Sequence, residues 1–502
     1  MGFLNQRAAV SLVLGVVAIA VVMLSVFWEF TADDAYIYMR YGANLVDAGA
    51  LVFNQGERVS TMTSPLLALI DAGLYAVWGD PRYSYKVLAV VLLGLTTMFV
   101  LRHQPRDALL RAVAAVVLLL SPSVLLWTVG GMETAIHMFL VAAATSLCLG
   151  CGPGRPGRTY AVLFLAGLCT VCRQDSVPFM AGLCLFALAG QPARTIGAGL
   201  VAGALAPVSW SLVSVWYYGD LFPTSVYVKP PLEDMSVLGT NAAYIGEFLL
   251  YTGALPLLLW SAWEARARGG VPGRDVRWPW GVWLGVALQL GYALTMATVH
   301  MMFAFRALVP YLPALLILAG EAVRRAGSPS RGPVATRALA VGLAVMICAQ
   351  VYQVTQTTQR SIQGLARNGE LQGAPLGEFT ASMDVAERLI LDVEAHWQSL
   401  SDRSRQHPRI WTWAEGIMPY TYRDAHFFGS LISYRHANEY SIGDLQDWAD
   451  YVITPGVIGI PIPGEVASHE VVFNGNRGRM VATYNPKPST LELPVTVGGS
   501  AR

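Results

Sequence analysis

Residues 8–28 form an apolar run without a single charge, and the chain repeats runs of this kind along most of its length. A bilayer core needs about 17–25 apolar residues per helical span, so a chain built this way is held to a helical membrane architecture. Further candidate spans fall at residues 83–101, 108–128, 134–150, 159–172, 176–190, 197–216, 247–264, 280–299, 305–320 and 338–353, which makes about eleven in all. Composition agrees: 54% of residues are hydrophobic and 13% charged, where a soluble domain carries about 25% charged residues. The first run follows Arg7, exceeds a signal-peptide core in length and lacks a small-residue cleavage site, so it is expected to be an uncleaved span.

Residues 64–79 are apolar but contain Asp71, and whether they span or lie in the interface sets the sidedness of every later loop. If they lie in the interface, Arg7, Arg102, Arg106, Arg111, Arg155, Arg158, Arg194, Arg266, Arg268, Arg274, Arg277, Arg324, Arg325, Arg331 and Arg337 all share one side. The positive-inside rule makes that side cytoplasmic, and the segment is therefore read as interfacial.

On that topology the informative polar residues gather on the opposite, extracytoplasmic face. Asp33 and Asp34 follow the first span directly, and carboxylates at a membrane boundary are costly enough to be functional candidates by default. Glu133 after Gly130-Gly131, the Arg173-Gln-Asp175 turn, Tyr217 to Ser225, Lys229, His300 and Arg306 join them. An ordinary alternative stands beside each. Either aspartate could cap a helix starting near Ala35, basic residues at span ends commonly snorkel to headgroups, and tyrosines populate membrane interfaces.

Beyond residue 353 the sequence turns mixed and polar, dividing the chain into a membrane part, 1–353, with a first outer loop at 29–82, and an extracytoplasmic part, 354–502. The short runs at 409–413 and 451–454 read as strands and 383–400 as a helix, so a small α/β domain is expected there. The last residues, 487–502, offer little to bury.

Several chemistries are excluded or left without support. A net charge of +1 gives no basis for nucleic-acid binding. Cys148-x2-Cys151 and Cys169-x2-Cys172 mimic a zinc ribbon, but they flank one span and are separated by roughly 20 Å or more of helix at about 1.5 Å per residue. There is neither a P-loop nor a Rossmann fingerprint, which argues against direct use of ATP or a nucleotide sugar. No metal ligand set is evident; a divalent cation is compatible with the acids but not required by them.

Asp33-Asp-Ala-Tyr-Ile37 with Arg40-Tyr-Gly-Ala-Asn44, Gly49 to Arg58 and Thr63-Ser-Pro65 resembles the first outer loop of GT-C glycosyltransferases. Within that superfamily the chain is most similar to the arabinofuranosyltransferase-like branch, which includes mycobacterial terminal arabinofuranosyltransferases and the type IV pilin arabinosyltransferase. The similarity runs on through Gly131-Met-Glu-Thr134, Arg173-Gln-Asp175, Tyr217 to Pro223 with Lys229, Arg306-Ala-Leu-Val-Pro310, Ala414 to Tyr420, and Asp424. The residues at 299–305 lack the Gly-Asp commonly seen before the arginine in relatives, so His300 is a candidate by its place at the outer face more than by the motif.

The resemblance implies transfer of a sugar from a polyprenyl-phosphate donor to an extracytoplasmic acceptor, a cell-wall glycan or a pilin-like protein, at the bacterial cytoplasmic membrane. It implies an acidic first-loop residue as general base, with Asp33 preferred by position and Asp34 close behind. Lys229, Arg306, Arg173 and Lys86 are the expected phosphate ligands. Tyr36, Arg40, Glu133, Asp175, Tyr217, Tyr218, Asp220 and His300 are the expected substrate contacts, Asp220 mainly through its turn. The chemistry suits these residues, because a phosphomonoester leaves without a general acid and one carboxylate suffices to deprotonate the acceptor. D-arabinofuranose is the expected sugar, another lipid-linked pentose or hexose the nearest rival, and a transporter or lipid-handling protein the reading of a different class.

Overall fold

A computed structural model of the protein describes residues 2–105, 108–228, 237–267, 279–296, 303–325, 376–400, 406–412, 416–428, 449–456, 462, 464–473 and 476–486, with scattered positions between 341 and 352. Lys229, His300 and most of the expected span at 338–353 lie outside the described residues.

The apolar runs become helices. After α1 (Gly2–Phe27) come α2 (Asp33–Ala48), α3 (Pro65–Trp78), α4 (Pro81–His103), α5 (Ala108–Leu119), α6 (Pro122–Val129), α7 (Thr134–Cys148), α8 (Pro156–Cys172) and α9 (Val177–Leu188). They continue through α10 (Ala193–Tyr218), α11 (Thr224–Val228), α12 (Val237–Tyr251), α13 (Ala254–Ala267), α14 (Trp280–Thr295) and α15 (Leu312–Arg325). Among the described residues α4 and α10 are each long and apolar enough to cross a membrane by themselves. Two bent pairs meet the same test jointly, α5 with α6 at 51° and α12 with α13 at 67°. The protein is membrane-integral, with apolar side chains such as Val201, Leu212 and Trp216 of α10 facing outward.

Two expected spans differ in detail. The run at 108–128 is broken because Pro122 has no N–H to continue the ladder past Ser121. The run at 305–320 becomes helical only at Leu312, since Phe303–Phe305 and Val309–Tyr311 are single 3-10 turns and Ala304 lies in the left-handed region at φ 47°.

The C-terminal part adds α16 (Leu376–Ser399) and the short α17 (Ile417–Thr421) to a five-stranded sheet. Its strands are β1 (Arg409–Trp411), β2 (His426–Phe428), β3 (Tyr451–Gly456), β4 (Glu465–Phe473) and β5 (Asn476–Tyr484), in the order β2-β1-β3-β5-β4. β1 runs parallel to β2 and β3, while β5 is antiparallel to β3 and β4. Helix α16 covers the sheet through Leu389, Ile390, Val393 and Trp397, all buried.

The first loop joins this sheet unit to the helices. Arg40 of α2 is completely buried, and its Nε donates to the Phe53 carbonyl at 2.6 Å. Its remaining N–H groups donate to the carbonyls of Pro419, Arg423 and Ala425 and to Asn54 Oδ1. The guanidinium also lies over the rings of Phe53 and Phe427. Asn54 ties loop to strand, donating to the Phe427 carbonyl at 2.8 Å and accepting its N–H at 3.1 Å. Glu57 adds a contact with His426, its Oε1 lying 2.8 Å from the ring Nε2. A buried cation satisfied this fully is specific in geometry, and removing it strands several carbonyls. Arg40→Met should therefore cost about 1–3 kcal/mol for each buried carbonyl left unpaired, read as a lower thermal midpoint in detergent and faster proteolysis after residue 400; an unchanged midpoint would remove the joint from this account.

Candidate functional site

Helix α2 opens with Asp33 and Asp34 in its first turn, where the exposed N–H groups and helix dipole favour carboxylates. Neither caps α2, because its N-cap is Ala32 with no side-chain cap. Asp33 serves another helix. Its carboxylate accepts the backbone N–H of Ile417 at 2.9 Å and of Gly416 at 3.1 Å, at the start of α17. Only glycine fits at 416, since a Cβ there would overlap the Asp33 carbonyl and carboxylate. Burial pushes the Asp33 carboxyl up to about 6; the Ile417 and Gly416 N–H groups pull the other way, and neighbouring Asp34 adds to the rise.

Asp34 points into a cleft of about 400 Å³ and accepts from Arg306 Nη1 at 3.3 Å. Arg306 Nη2 also donates to Glu133 Oε1 at 3.3 Å, and Arg173 Nη1 reaches the same oxygen at 2.5 Å. Arg173 in turn forks onto Asp175 at 2.8 and 2.5 Å. Three carboxylates and two guanidiniums thus form one chain, Asp34–Arg306–Glu133–Arg173–Asp175. Its outer end, Asp34, has a side chain 55% exposed, against 1% for Glu133. Burial alone would raise the Glu133 and Asp175 carboxyls, but the guanidiniums beside them hold both below the ordinary carboxylate value.

Local sequence explains the placement of each member. Gly131, at φ +77°, turns the chain tightly against α2, where a Cβ would sit 2.8 Å from that of Ala35. That turn delivers Glu133 behind the cleft, between Arg173 and Arg306. Arg306 follows two left-handed non-glycine residues, Ala304 and Phe305 at φ 47° and 57°. Such conformations cost about 1–3 kcal/mol each and persist where surroundings enforce them. Here Phe305 is gripped by the rings of Tyr244, Phe248 and Tyr251, and the Arg306 guanidinium lies 5.2 Å from the centre of the buried Trp127 ring.

Of the residues anticipated from sequence, Asp34, Glu133, Arg173, Asp175 and Arg306 meet in this cluster. Others stand elsewhere among the described residues. Lys86 donates to the Trp28 carbonyl and does not line the cleft. Tyr36 stacks near Tyr420, and Arg40 is spent on the joint described above. The Tyr217 ring receives the Arg58 guanidinium at 4.8 Å, and the Tyr218 hydroxyl donates to the Leu51 carbonyl at 2.7 Å. The Asp220 carbonyl accepts from Ser214, fixing the turn after α10. Thr63, Gln174 and Ser225, each within a motif quoted above, line the cleft as well, and so do Tyr38, Thr61, Tyr292 and Met296, which were not singled out. Among the described residues no group of three or more His, Cys, Asp and Glu side chains is placed to hold a metal ion, and Glu133 faces guanidiniums.

No family model matches the chain. Among curated proteins it is similar to the terminal beta-(1->2)-arabinofuranosyltransferase of Mycobacterium tuberculosis, 28% identical over 247 residues, which is 45% of this chain and 39% of the relative. The protein of the same name from Corynebacterium glutamicum is 27% identical over 321 residues, 56% of this chain and 45% of the relative. The matches span less than half the length of these relatives. Among solved structures, ArnT from Cupriavidus metallidurans bound to undecaprenyl phosphate aligns with a TM-score of 0.58 at 13% identity, covering 95% of this chain and 99% of that one. Its apo state gives 0.55 at 14% identity, covering 95% and 98%. The chain has the ArnT fold. An ArnT-like fold and arabinofuranosyltransferase relatives together bear out the GT-C, arabinofuranosyltransferase-like resemblance of the motifs.

The two kinds of carboxylate predict opposite pH effects. Asp33, with its pKa raised by folding, favours the folded state below its unfolded value near 4, and that contribution is lost as pH rises through about 6. Glu133 and Asp175, with pKa values lowered by folding, stabilise above the ordinary carboxylate range and lose that effect as pH falls. The thermal-midpoint advantage of wild type over Asp33→Asn should therefore shrink between pH 4 and 6; an advantage that grew over this window would contradict the assignment.

Proposed function

We propose that the chain is a glycosyltransferase that moves a sugar, D-arabinofuranose, from a polyprenyl-phosphate carrier to a glycan or pilin-like protein acceptor. In this reading the reaction takes place on the extracytoplasmic face of a bacterial cytoplasmic membrane, where the arginine-poor loops gather and to which the C-terminal sheet unit is assigned. One observation carries this reading: a solvent-reaching carboxylate, Asp34, is held beside Arg306 at the mouth of a cleft whose floor is made of ion pairs.

In this reading Asp34 is the general base and Asp33 a positioning residue. The acceptor hydroxyl gives its proton to Asp34 while its oxygen bonds to the anomeric carbon. The carbon–oxygen bond to phosphate breaks, its electron pair stays on the phosphate oxygen, and polyprenyl phosphate leaves. Arg306 is the cation nearest the base and the first to meet the donor phosphate, with Arg173 behind it. Lys229 is retained as a phosphate ligand from its sequence motif, whereas Lys86, bonded to the Trp28 carbonyl away from the cleft, is not. The membrane setting follows from the donor, whose isoprenoid tail stays in lipid while its head reaches the interface. The arabinofuranosyltransferase relatives support the sugar, and the undecaprenyl phosphate bound to ArnT supports the carrier.

The test is transfer from radiolabelled polyprenyl-phosphate arabinofuranose to membrane glycan and protein acceptors by the purified protein. Asp34→Asn should lower the rate at least about 100-fold with folding intact, whereas Asp33→Asn should chiefly lower the melting temperature. A folded Asp33→Asn that is inert beside an active Asp34→Asn would reverse the roles. Inertness of wild type toward every lipid-linked sugar would favour transport or lipid handling.

A further inference from the structure

The two arginines of the ionic chain are held differently. Arg173 grips Asp175 with Nε and Nη2 at 2.8 and 2.5 Å and Glu133 with Nη1 at 2.5 Å, so its whole fork is committed to carboxylates. Arg306 makes two contacts of 3.3 Å each, one to Glu133 and one to Asp34. Charge-assisted hydrogen bonds settle at about 2.7–2.9 Å, which makes Arg306 the loosely held cation of the pair.

Its two partners differ as well. Glu133 is buried, whereas the Asp34 side chain is half exposed at the cleft mouth, where water can replace a departing arginine. Under the guanidinium lies the ring of Trp127, itself buried and met edge-on by Phe30. A ring face attracts a cation without fixing its direction in the ring plane. Arg306 can therefore turn over Trp127 about its Glu133 contact and give up Asp34 alone. A phosphate entering the cleft is a second anion for the same guanidinium edge, and Asp34 is the partner it would displace.

We infer that the Asp34–Arg306 contact is a latch opened by the donor: the donor phosphate takes Nη1 of Arg306 from Asp34, Nη2 stays on Glu133, and the Asp34 oxygen so released accepts the acceptor's hydroxyl. This rests on the glycosyltransferase reading above. The donor then binds before the acceptor, because its phosphate is what frees the base. After transfer the proton taken from the acceptor passes from Asp34 to water at the mouth, polyprenyl phosphate leaves, and the latch closes again.

The experiment measures binding of polyprenyl phosphate to full-length wild type, Asp34→Asn, Arg306→Gln and the double variant in detergent. Asp34→Asn should bind about two- to fivefold tighter than wild type, the factor expected when a part-exposed ion pair no longer has to be broken. Arg306→Gln should bind more weakly, and adding Asp34→Asn to it should bring no gain. An equal gain in the Arg306→Gln background would mark the removal of a repelling charge and nothing more. That result, or an affinity in Asp34→Asn that is unchanged or weaker, overturns the latch while leaving the transferase reading in place. The wild-type structure with polyprenyl phosphate bound gives a readout that needs no variant, and it decides if Arg306→Gln does not fold. Arg306 should there sit on a phosphate oxygen and on Glu133 but not on Asp34; an intact Asp34 contact overturns the inference. Absence of polyprenyl phosphate binding by wild type and every variant overturns the inference together with the donor assignment.

Discussion

A single buried guanidinium sets how the two parts of this protein meet. Arg40 lies out of water, and a cation there is tolerated only where acceptors surround it. Those acceptors come from both sides, the first loop through Phe53 and Asn54 and the sheet unit through Pro419, Arg423 and Ala425. Because a guanidinium presents its N–H groups in a fixed plane, the directions of those carbonyls are fixed with it. Helix α2 is thereby locked in both rotation and height. Asp33, two turns earlier on the same helix, then meets the first N–H groups of α17.

Electrostatics supply the second level of order. Glu133 shares one oxygen between Arg173 and Arg306, so neither arginine can move without leaving a buried carboxylate short of a partner. The cost of such a loss, about 3–5 kcal/mol for a broken buried pair, keeps the polar groups of the cleft in place before any ligand arrives. Preorganisation of this kind is what makes fixed charges effective in a reaction, since they need no rearrangement as charge develops. The left-handed elbow at Ala304 and Phe305 belongs to the same arrangement, the aromatic grip on Phe305 opposing its strain.

Hydropathy made the helices legible, because bilayer-length apolar runs leave few alternatives. The break before Pro122 escaped the reading of 108–128 as one span, although proline's missing N–H accounts for it. Nor was the late onset of α15 legible, since the left-handed residues Ala304 and Phe305 have no glycine to announce them. Five of the site's charges stood out in sequence because charges are scarce and costly in such a chain. Thr61 and Trp127 did not, since hydroxyls in loops and tryptophans in apolar runs are the ordinary background of membrane proteins. The distinct duties of Asp33 and Asp34 were hidden for another reason: Gly416 and Ile417, which claim Asp33, lie in the far C-terminal part of the chain.

Duplication of a residue is often taken as insurance. On a helix it is the reverse, because neighbours project about 100° apart and enter different surroundings. Asp33 looks toward Gly416 and Asp34 toward Arg306, so neither carboxylate can stand in for the other. The doublet is two single points of failure set side by side, and anything that tilts α17 must twist the same helical turn that aims Asp34.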